Sequence, residues 1–418
     1  MPWGPAWRRR VIRTITRLFP GGAPFVVPLL LRWAKARGDA LLRGRGLVRG
    51  TSVAWPYAGR AWTVSEDVVR PGRGEVLVRI DSTAVSAGTE RAYFARMPGS
   101  PAKFPFFPGY SAAGEIVAVG RGVAGLRRGD LVALQAEHGS LALAKAARVA
   151  AVPAGVSMEE AAFIQLGVIA LQAVDRAALR PGEMAVVIGA GIIGQLIAQC
   201  VAANGHPVVS VARSDRRVTA ALLQATRRVV LLDRDGLAAV EALDAPVTFE
   251  VSGAPQAIPL AIRCTGRGGR IVLAGSTRGM TREVDFGVLA DKAITISGAH
   301  ITRLEASAWP ALATSFLELL AARRVQVAPL ISARIHPLEA ERFYRRLARQ
   351  DDATIGAVFA WEELSPLERM RPITIAAPPD FTPLRRGRMT VLPISRRGSG
   401  QPSQTPRLRA TRGQGEVA

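Results

Sequence analysis

Two hydrophobic periods divide this chain. Between residues 51 and 150 apolar positions alternate with polar ones. Glu75-Val-Leu-Val-Arg-Ile80 steps at period two, and Gly114-Glu-Ile-Val-Ala-Val-Gly120 repeats that step between glycines. Gly129-Asp-Leu-Val-Ala-Leu134 adds a third short run behind a turn. Alternation of this kind predicts half-buried strands. Short strands punctuated by Gly and Pro predict a barrel-like or sandwich region. Near residue 158 the period lengthens. Ser157 is placed to cap a helix with Glu159 and Glu160 in its first turn, where the helix dipole favours acids. From residue 183 strands and helices alternate. The strands are expected at Met184–Ile188, Val208–Val211, Val247–Val251 and Ile271–Ala274, with a helix over Gly194–Ala203. This order predicts parallel βαβ units. After Lys292 the pattern predicts helices near Leu312–Leu320 and Leu338–Arg349 and a strand at Ile355–Phe359.

The ends read differently. Trp7 to Phe19 sets Val11, Ile12, Ile15, Leu18 and Phe19 at helical spacing, with Arg8, Arg9, Arg10, Arg13 and Arg17 mostly on other faces. Such a basic amphipathic segment can make weak contact with an anionic membrane surface. A solvated arm, or a start codon assigned upstream of the true one, explains it more simply. No apolar stretch followed by a small-residue cleavage site marks a secretory signal. Beyond Trp361 the chain is rich in Pro, Arg, Gly and Ser and is expected to be a flexible tail.

The chain has 418 residues, 49% of them hydrophobic and 21% charged, enough for two or three packed domains. No apolar run approaches the ~18–20 residues of a membrane span; the richest, Phe25 to Leu31, is cut by Pro28. Two cysteines, Cys200 and Cys264, exclude a disulfide scaffold and a four-cysteine metal site, so a cytoplasmic location is expected. The net charge of +22 sits mostly at the ends. Residues 1–50 hold 11 Arg/Lys against one acid, and residues 362–418 hold 10 Arg against five acids. Lysine occurs four times against 51 arginines, a skew typical of GC-rich coding rather than of a nucleic-acid surface. No nucleic-acid-binding module accompanies it.

The strongest chemical signal is Ala185-Val-Val-Ile-Gly-Ala-Gly-Ile-Ile-Gly194. It follows a buried-type strand and opens an apolar helix, the setting that makes the glycine pattern a dinucleotide fingerprint. Gly189 allows the tight turn, Gly191 a close approach to a pyrophosphate, and Gly194 close helix packing. The N–H groups around Ile192 and Ile193 then face the phosphates at the helix N-terminus. An acid ~20 residues past the glycines would grip the ribose hydroxyl of NAD. That position holds Ala212. Arg213 follows, with Ser214 and Arg217 in reach and Asp215 the nearest acid. A guanidinium pairs with a 2′-phosphate that a carboxylate would repel, so NADP(H) is expected over NAD(H).

The order of these parts resembles the medium-chain dehydrogenase/reductase superfamily, the zinc alcohol dehydrogenase-like proteins. The resemblance rests on Gly74-Glu-Val-Leu-Val-Arg79, Pro108-Gly-Tyr-Ser-Ala-Ala-Gly114, Val119-Gly120, Gly129-Asp-Leu-Val132, the glycine fingerprint, Glu250-Val-Ser-Gly253 and Gly268-Gly-Arg-Ile-Val-Leu-Ala-Gly275. It covers about residues 50–361. It implies an α/β protein with a GroES-like β-rich catalytic domain over 51–176 and 300–361. A Rossmann doubly wound parallel sheet over 177–299 would bind the coenzyme, with Ser252 and Gly275 at its crevice. Residues 1–50 and 362–418 would flank these as a basic extension and a tail. It also implies a homodimer.

The departures from the family pattern matter as much. Ala87 stands where the zinc enzymes place a cysteine, and Tyr110 where they place a histidine. The third ligand region offers Gln165 or Leu166, and the four-cysteine loop is absent. Zinc needs three or four N, S or carboxylate ligands, so no zinc is expected. The segment Ser86-Ala-Gly-Thr-Glu90 is similar to that of a zinc-free branch that includes oxidoreductase domains of bacterial glycan-related proteins and, more distantly, bacteriochlorophyllide dehydrogenases.

By this resemblance the catalytic candidates are Tyr110, as proton donor or oxyanion stabiliser, and Thr89, at the family's proton-relay position. Glu90 would orient Thr89 or pair with a local arginine. His138 can act as an acid or base, but reads more simply as a core histidine. The expected activity is zinc-independent hydride transfer between NADP(H) and an alcohol or carbonyl, on a small molecule such as a sugar or natural product. NADPH-dependent reduction of an enone or quinone is the alternative, and a non-catalytic NADP(H) sensor or membrane-surface partner is the alternative of another class.

Overall fold

The computed structural model describes residues 23–100, 103–213, 228–231, 234–275, 284–349 and 354–365. Helix α1 (Ala23–Leu42) leads into an antiparallel ribbon of β1 (Leu47–Ala54) and β2 (Trp62–Val69). Then follow β3 (Glu75–Val85), α2 (Ala87–Phe94), β4 (Ala112–Val119), β5 (Leu131–Leu134), β6 (Leu141–Lys145) and β7 (Val149–Ala151). Helices α3 (Met158–Ala161) and α4 (Ile164–Ala177) lead to the second sheet. Its strands are β8 (Ala185–Ile188), β9 (Val208–Ala212), β10 (Arg228–Leu231), β11 (Ala245–Glu250), β12 (Thr265–Leu273) and β13 (Thr295–Gly298). Between them lie α5 (Ile192–Ala203), α6 (Arg234–Glu241), α7 (Ala257–Cys264) and α8 (Phe286–Asp291). The chain then returns through α9 (Trp309–Ala321), β14 (Ile331–Ile335), α10 (Ala340–Ala348) and β15 (Gly356–Ala360).

Among the described residues, the second sheet has the order β10-β9-β8-β11-β12-β13 with every pairing parallel. This is the doubly wound arrangement, and its order reverses between β8 and β11. The first sheet has the order β14-β15-β3-β4-β5-β7, with β6 also on β3. The late strands β14 and β15 thus complete a sheet begun some 270 residues earlier, by the pairing of Phe359 with Thr83. Strand β3 differs from its period-two reading. Val76, Leu77, Val78 and Ile80 are all buried, because β4, β6 and β15 pair with it and both its faces are covered.

Ser157 caps α3 as its position predicts. Its side chain accepts from the Glu160 N–H, while Glu160 reaches back to the Ser157 N–H, a reciprocal capping box. One core packs Ala84 and Ala113 of the first sheet together with Phe163, Leu166, Val187, Leu196 and Phe316.

The expected boundary at residue 50 does not hold for the part of it the structure describes. Strand β1 starts at Leu47, and α1 lies against β2. Arg37 and Arg49 both pair with the buried Asp67, at 3.0 and 3.3 Å, and Arg45 pairs with Glu75 at 2.9 Å. Part of the positive charge of residues 1–50 is therefore spent on carboxylates of the fold. The amphipathic reading of residues 7–19 lies outside the described residues. At the other end, Leu364 is buried beside Trp361, and Glu362 and Glu363 pair with Arg334, so the packing runs past residue 361. No helix among the described residues is long and apolar enough to cross a membrane.

Candidate active site and coenzyme crevice

Three hydroxyls meet at the end of β3. The strand stops at Val85, and Ser86 turns the chain into α2, whose first turn carries Ala87, Gly88, Thr89 and Glu90. The loop before β4 arrives as Phe107-Pro108-Gly109-Tyr110. Gly109 has φ +92°, and a Cβ there would lie 2.6 Å from the His138 nitrogen, so glycine alone lets the loop pass. Tyr110 is half-buried, and the side chains of Ser86 and Thr89 lie near enough to its phenol to bear on its ionisation. Burial pushes this phenol up to about 12. The Ser86 side chain opposes the rise, the nearby Glu90 carboxylate adds to it, and the Thr89 side chain opposes it. Tyr110 thus keeps its proton throughout the neutral range. The structure brings Tyr110 and Thr89 together, as candidates read from separate motifs. Ser86 was missed; its signal was its place at the head of the Ser-Ala-Gly-Thr-Glu segment.

Glu90 lies beneath this cluster, with other partners than expected. Its Oε1 accepts from the Ser86 N–H at 2.8 Å, and its Oε2 accepts from the Tyr344 hydroxyl at 2.6 Å. His138 Nε2 is 3.1 Å from that second oxygen. His138 Nδ1 lies 2.7 Å from Thr83 Oγ1, which also accepts from Trp361 Nε1 at 2.9 Å. One proton arrangement satisfies the whole chain: His138 Nε2–H toward Glu90, Thr83 O–H toward Nδ1, and Trp361 N–H toward Thr83. All five side chains are buried. His138 is a core histidine bonded through both ring nitrogens. Glu90 anchors the first turn of α2 instead of pairing with an arginine.

At the remaining positions of the family's ligand set, Ala87 has no donor atom. Gln165 is buried, and its Oε1 already accepts from Gln135 Nε2 and Trp309 Nε1, each at 2.6 Å. Ser111, next to Tyr110, donates to the Ala162 carbonyl and accepts from the Gln165 N–H, tying this loop to α4. Cys200 and Cys264 are free thiols buried in the second sheet's packing. Among the described residues no group of three or more His, Cys, Asp or Glu side chains gathers as a metal site.

The glycine fingerprint forms the turn between β8 and α5. Gly189 has φ +117°, and a Cβ there would sit 2.8 Å from the Ser252 nitrogen, across the switch point. A Cβ on Gly194 would lie 1.8 Å from the Gly189 carbonyl oxygen. Helix α5 therefore packs directly on its own turn, and the N–H groups of Ile192, Ile193 and Gly194 point out of its first turn beyond Gly191. A Cβ on Gly275 would meet the Gly253 nitrogen at 2.7 Å, so the ends of β11 and β12 also close on one another.

Glu250 shapes that side of the crevice. Its Oε1 accepts from the Ser252 N–H, the Ser252 hydroxyl and the Gly253 N–H, and burial holds this carboxyl above the usual range. Ser252 also accepts from the Ala254 N–H, so its hydroxyl is spent within the turn. Arg213 is exposed directly after Ala212, the buried last residue of β9. Ser214 and Arg217 lie outside the described residues. These glycines and the helix N-terminus fit a dinucleotide: the backbone leaves room where side chains would block it, and unpaired donors face the crevice.

Comparison with known proteins agrees with this geometry. Residues 72–170 match the alcohol dehydrogenase GroES-like domain, and residues 193–318 match the zinc-binding dehydrogenase family. The chain is 26% identical over 309 residues to the 2-dehydro-3-deoxy-L-galactonate 5-dehydrogenase of Pseudoalteromonas atlantica, over 66% of this chain and 88% of that one. It is 29% identical over 223 residues to the 2-desacetyl-2-hydroxyethyl bacteriochlorophyllide A dehydrogenase of Cereibacter sphaeroides, over 49% of this chain and 67% of that one. The galactitol-1-phosphate dehydrogenase of Escherichia coli shares the fold with a TM-score of 0.66 at 22% identity, covering 74% of this chain and 99% of that one. With a GroES-like sheet, a Rossmann sheet and these relatives, the chain belongs to the medium-chain dehydrogenase/reductase superfamily and is an oxidoreductase.

Proposed function

We propose that the protein transfers hydride between NADP(H) and an alcohol or carbonyl substrate without zinc. The observation that supports this reading is that Tyr110, which by the resemblance stands at a zinc-ligand position, lies beside Ser86 and Thr89. Zinc fits these residues poorly. Ala87 offers no ligand, Tyr110 keeps its proton, and the Gln165 carbonyl is occupied by two N–H donors. The nicotinamide, when bound, supplies or accepts the hydride. In the reducing direction Tyr110 holds its phenolic proton at the substrate oxygen and gives it up as hydride reaches carbon. Ser86 and Thr89 then donate hydrogen bonds to the phenolate until solvent returns the proton. One such donor is worth about 3 kcal/mol of barrier.

The NADP(H) preference is supported by Ala212 and Arg213 at the end of β9, where an NAD site carries an acid. Neutral hydroxyl donors also suit an enone or quinone, whose charge is delocalised after hydride addition, and this is the second reading. We further propose a homodimer joined through the coenzyme domain, consistent with β13 at the sheet edge and its part-exposed Ile296. The experiment is metal analysis and turnover on one purified sample. Carbonyls, quinones and secondary alcohols are screened with NADPH and NADH, before and after chelation. Turnover that survives chelation, with tighter binding of NADPH, is the expected result. Stoichiometric zinc whose removal abolishes turnover would sink the metal-free reading. Equal or tighter NADH binding would sink the coenzyme preference.

A further inference from the structure

Helix α1 precedes the parts of this chain that match the two family domains, yet one of its side chains reaches both segments that frame Tyr110. Arg32 Nε pairs with Glu66 of β2 at 3.0 Å, and its Nη2 pairs with Glu137 at 2.6 Å. Its guanidinium carbon lies 3.7 Å from the centre of the Phe107 ring, over the ring face. Phe107 is three residues ahead of Tyr110, and Glu137 adjoins His138. The two segments are already knitted together: the His138 N–H donates to the Pro108 carbonyl at 2.7 Å, and Gly109 packs against the His138 ring. Phe106 exchanges two backbone hydrogen bonds with Trp55 just behind.

We propose that Arg32 is a positioning residue for Tyr110, clamping residues 107–110 and 137–138 to β2 from an added N-terminal helix. The inference rests on the proton-donor reading of Tyr110. The chemistry calls for arginine. A planar guanidinium can give separate N–H groups to two carboxylates while its face lies on an aromatic ring, whereas an ammonium is a single compact charge. Each contact alone is a modest surface interaction. Their joint effect is geometric, because a loop that drifts by about 1 Å moves its donor out of line at a cost of up to ~10²-fold in rate.

The experiment combines amide hydrogen exchange on the full chain with steady-state kinetics on the substrate that the carbonyl and quinone panel identifies. The variants are Arg32→Ala, Arg32→Lys and Tyr110→Phe. Arg32→Ala is expected to speed exchange by about fivefold or more across 103–110 and 135–140 while 185–213 stays unchanged. Its kcat should fall about tenfold, with NADPH affinity held within about twofold. Arg32→Lys keeps the charge and should recover only part of the loss. Unchanged exchange over 103–110, or unchanged kcat with both segments loosened, would overturn the role of Arg32. Full turnover in Tyr110→Phe would instead overturn the proton-donor reading and with it the purpose of the clamp, while exchange still reports the clamp itself.

Discussion

A phenol can serve as a neutral donor only where its surroundings keep it protonated, and Tyr110 sits in such a place. With its pKa near 12 against an ordinary 10.0, it is neutral below pH 10 in both folded and unfolded chains. Between those values the unfolded chain loses the proton first, so the contribution of this residue to stability is lost as pH rises through that window. The pH profile of kcat/KM is therefore expected to show no tyrosine limb below about pH 10. A limb near pH 8 that vanished in Tyr110→Phe would contradict this. The same substitution should lower kcat by about 10²-fold with coenzyme affinity kept, as loss of one oxyanion donor does. Gly194→Ala tests the other end of the site. Its new methyl meets the Gly189 carbonyl, so the turn must shift. NADPH affinity should drop, with a loss of about 1–3 kcal/mol in stability. These residues were legible because each stands in a local motif. Ser86 heads such a motif too, but its nearness to Tyr110, from a loop 24 positions later, is set by the fold and not by the motif.

At the scale of elements, the chain Trp361–Thr83–His138–Glu90–Tyr344 joins the residue after β15, β3, the segment before β6, α2 and α10. Its bonds span up to 278 positions, so no window of sequence displays it. Buried networks of this kind are sensitive to the loss of a single donor. Tyr344→Phe should cost about 1–3 kcal/mol in denaturant unfolding, because Glu90 keeps its burial and loses a hydrogen bond. An unchanged midpoint would show that another donor takes over. The same separation explains which elements the pattern revealed. The βαβ units were legible from their periods. The ribbon β1–β2, the short β6 and β7, and the edge strands β13 and β14 were not: they are brief, or take their burial from partners distant in sequence.

For the whole molecule, charge placement rather than net charge decides how the N-terminal region behaves. Glu75 shows this. Burial alone would raise its carboxyl, but hydrogen bonds from Lys145, the Gly72 N–H and Arg45 outweigh it and hold the group at about 2. Its folded pKa lies below the ordinary 4.5, so the stability it contributes is present above that value and lost as pH falls toward 2. Glu75→Gln should flatten the acid limb of a thermal-stability profile over that range, and an unchanged limb would assign it to other acids. Composition counts the charges of residues 1–50 without their partners, so it could not show that Arg37, Arg45 and Arg49 pair with carboxylates of the fold.

The interleaving of the two sheets has a consequence during synthesis. A ribosome that has delivered residues up to 300 has released every described strand of the parallel sheet, but has not yet delivered β14, β15, Tyr344 or Trp361. The parallel sheet can therefore pair its strands while still tethered, although Phe316, which packs with Val187 and Leu196, is still to come. The half that carries Tyr110 must wait, with Glu90 and Thr83 short of partners, until the last stretch of polypeptide emerges to seal it.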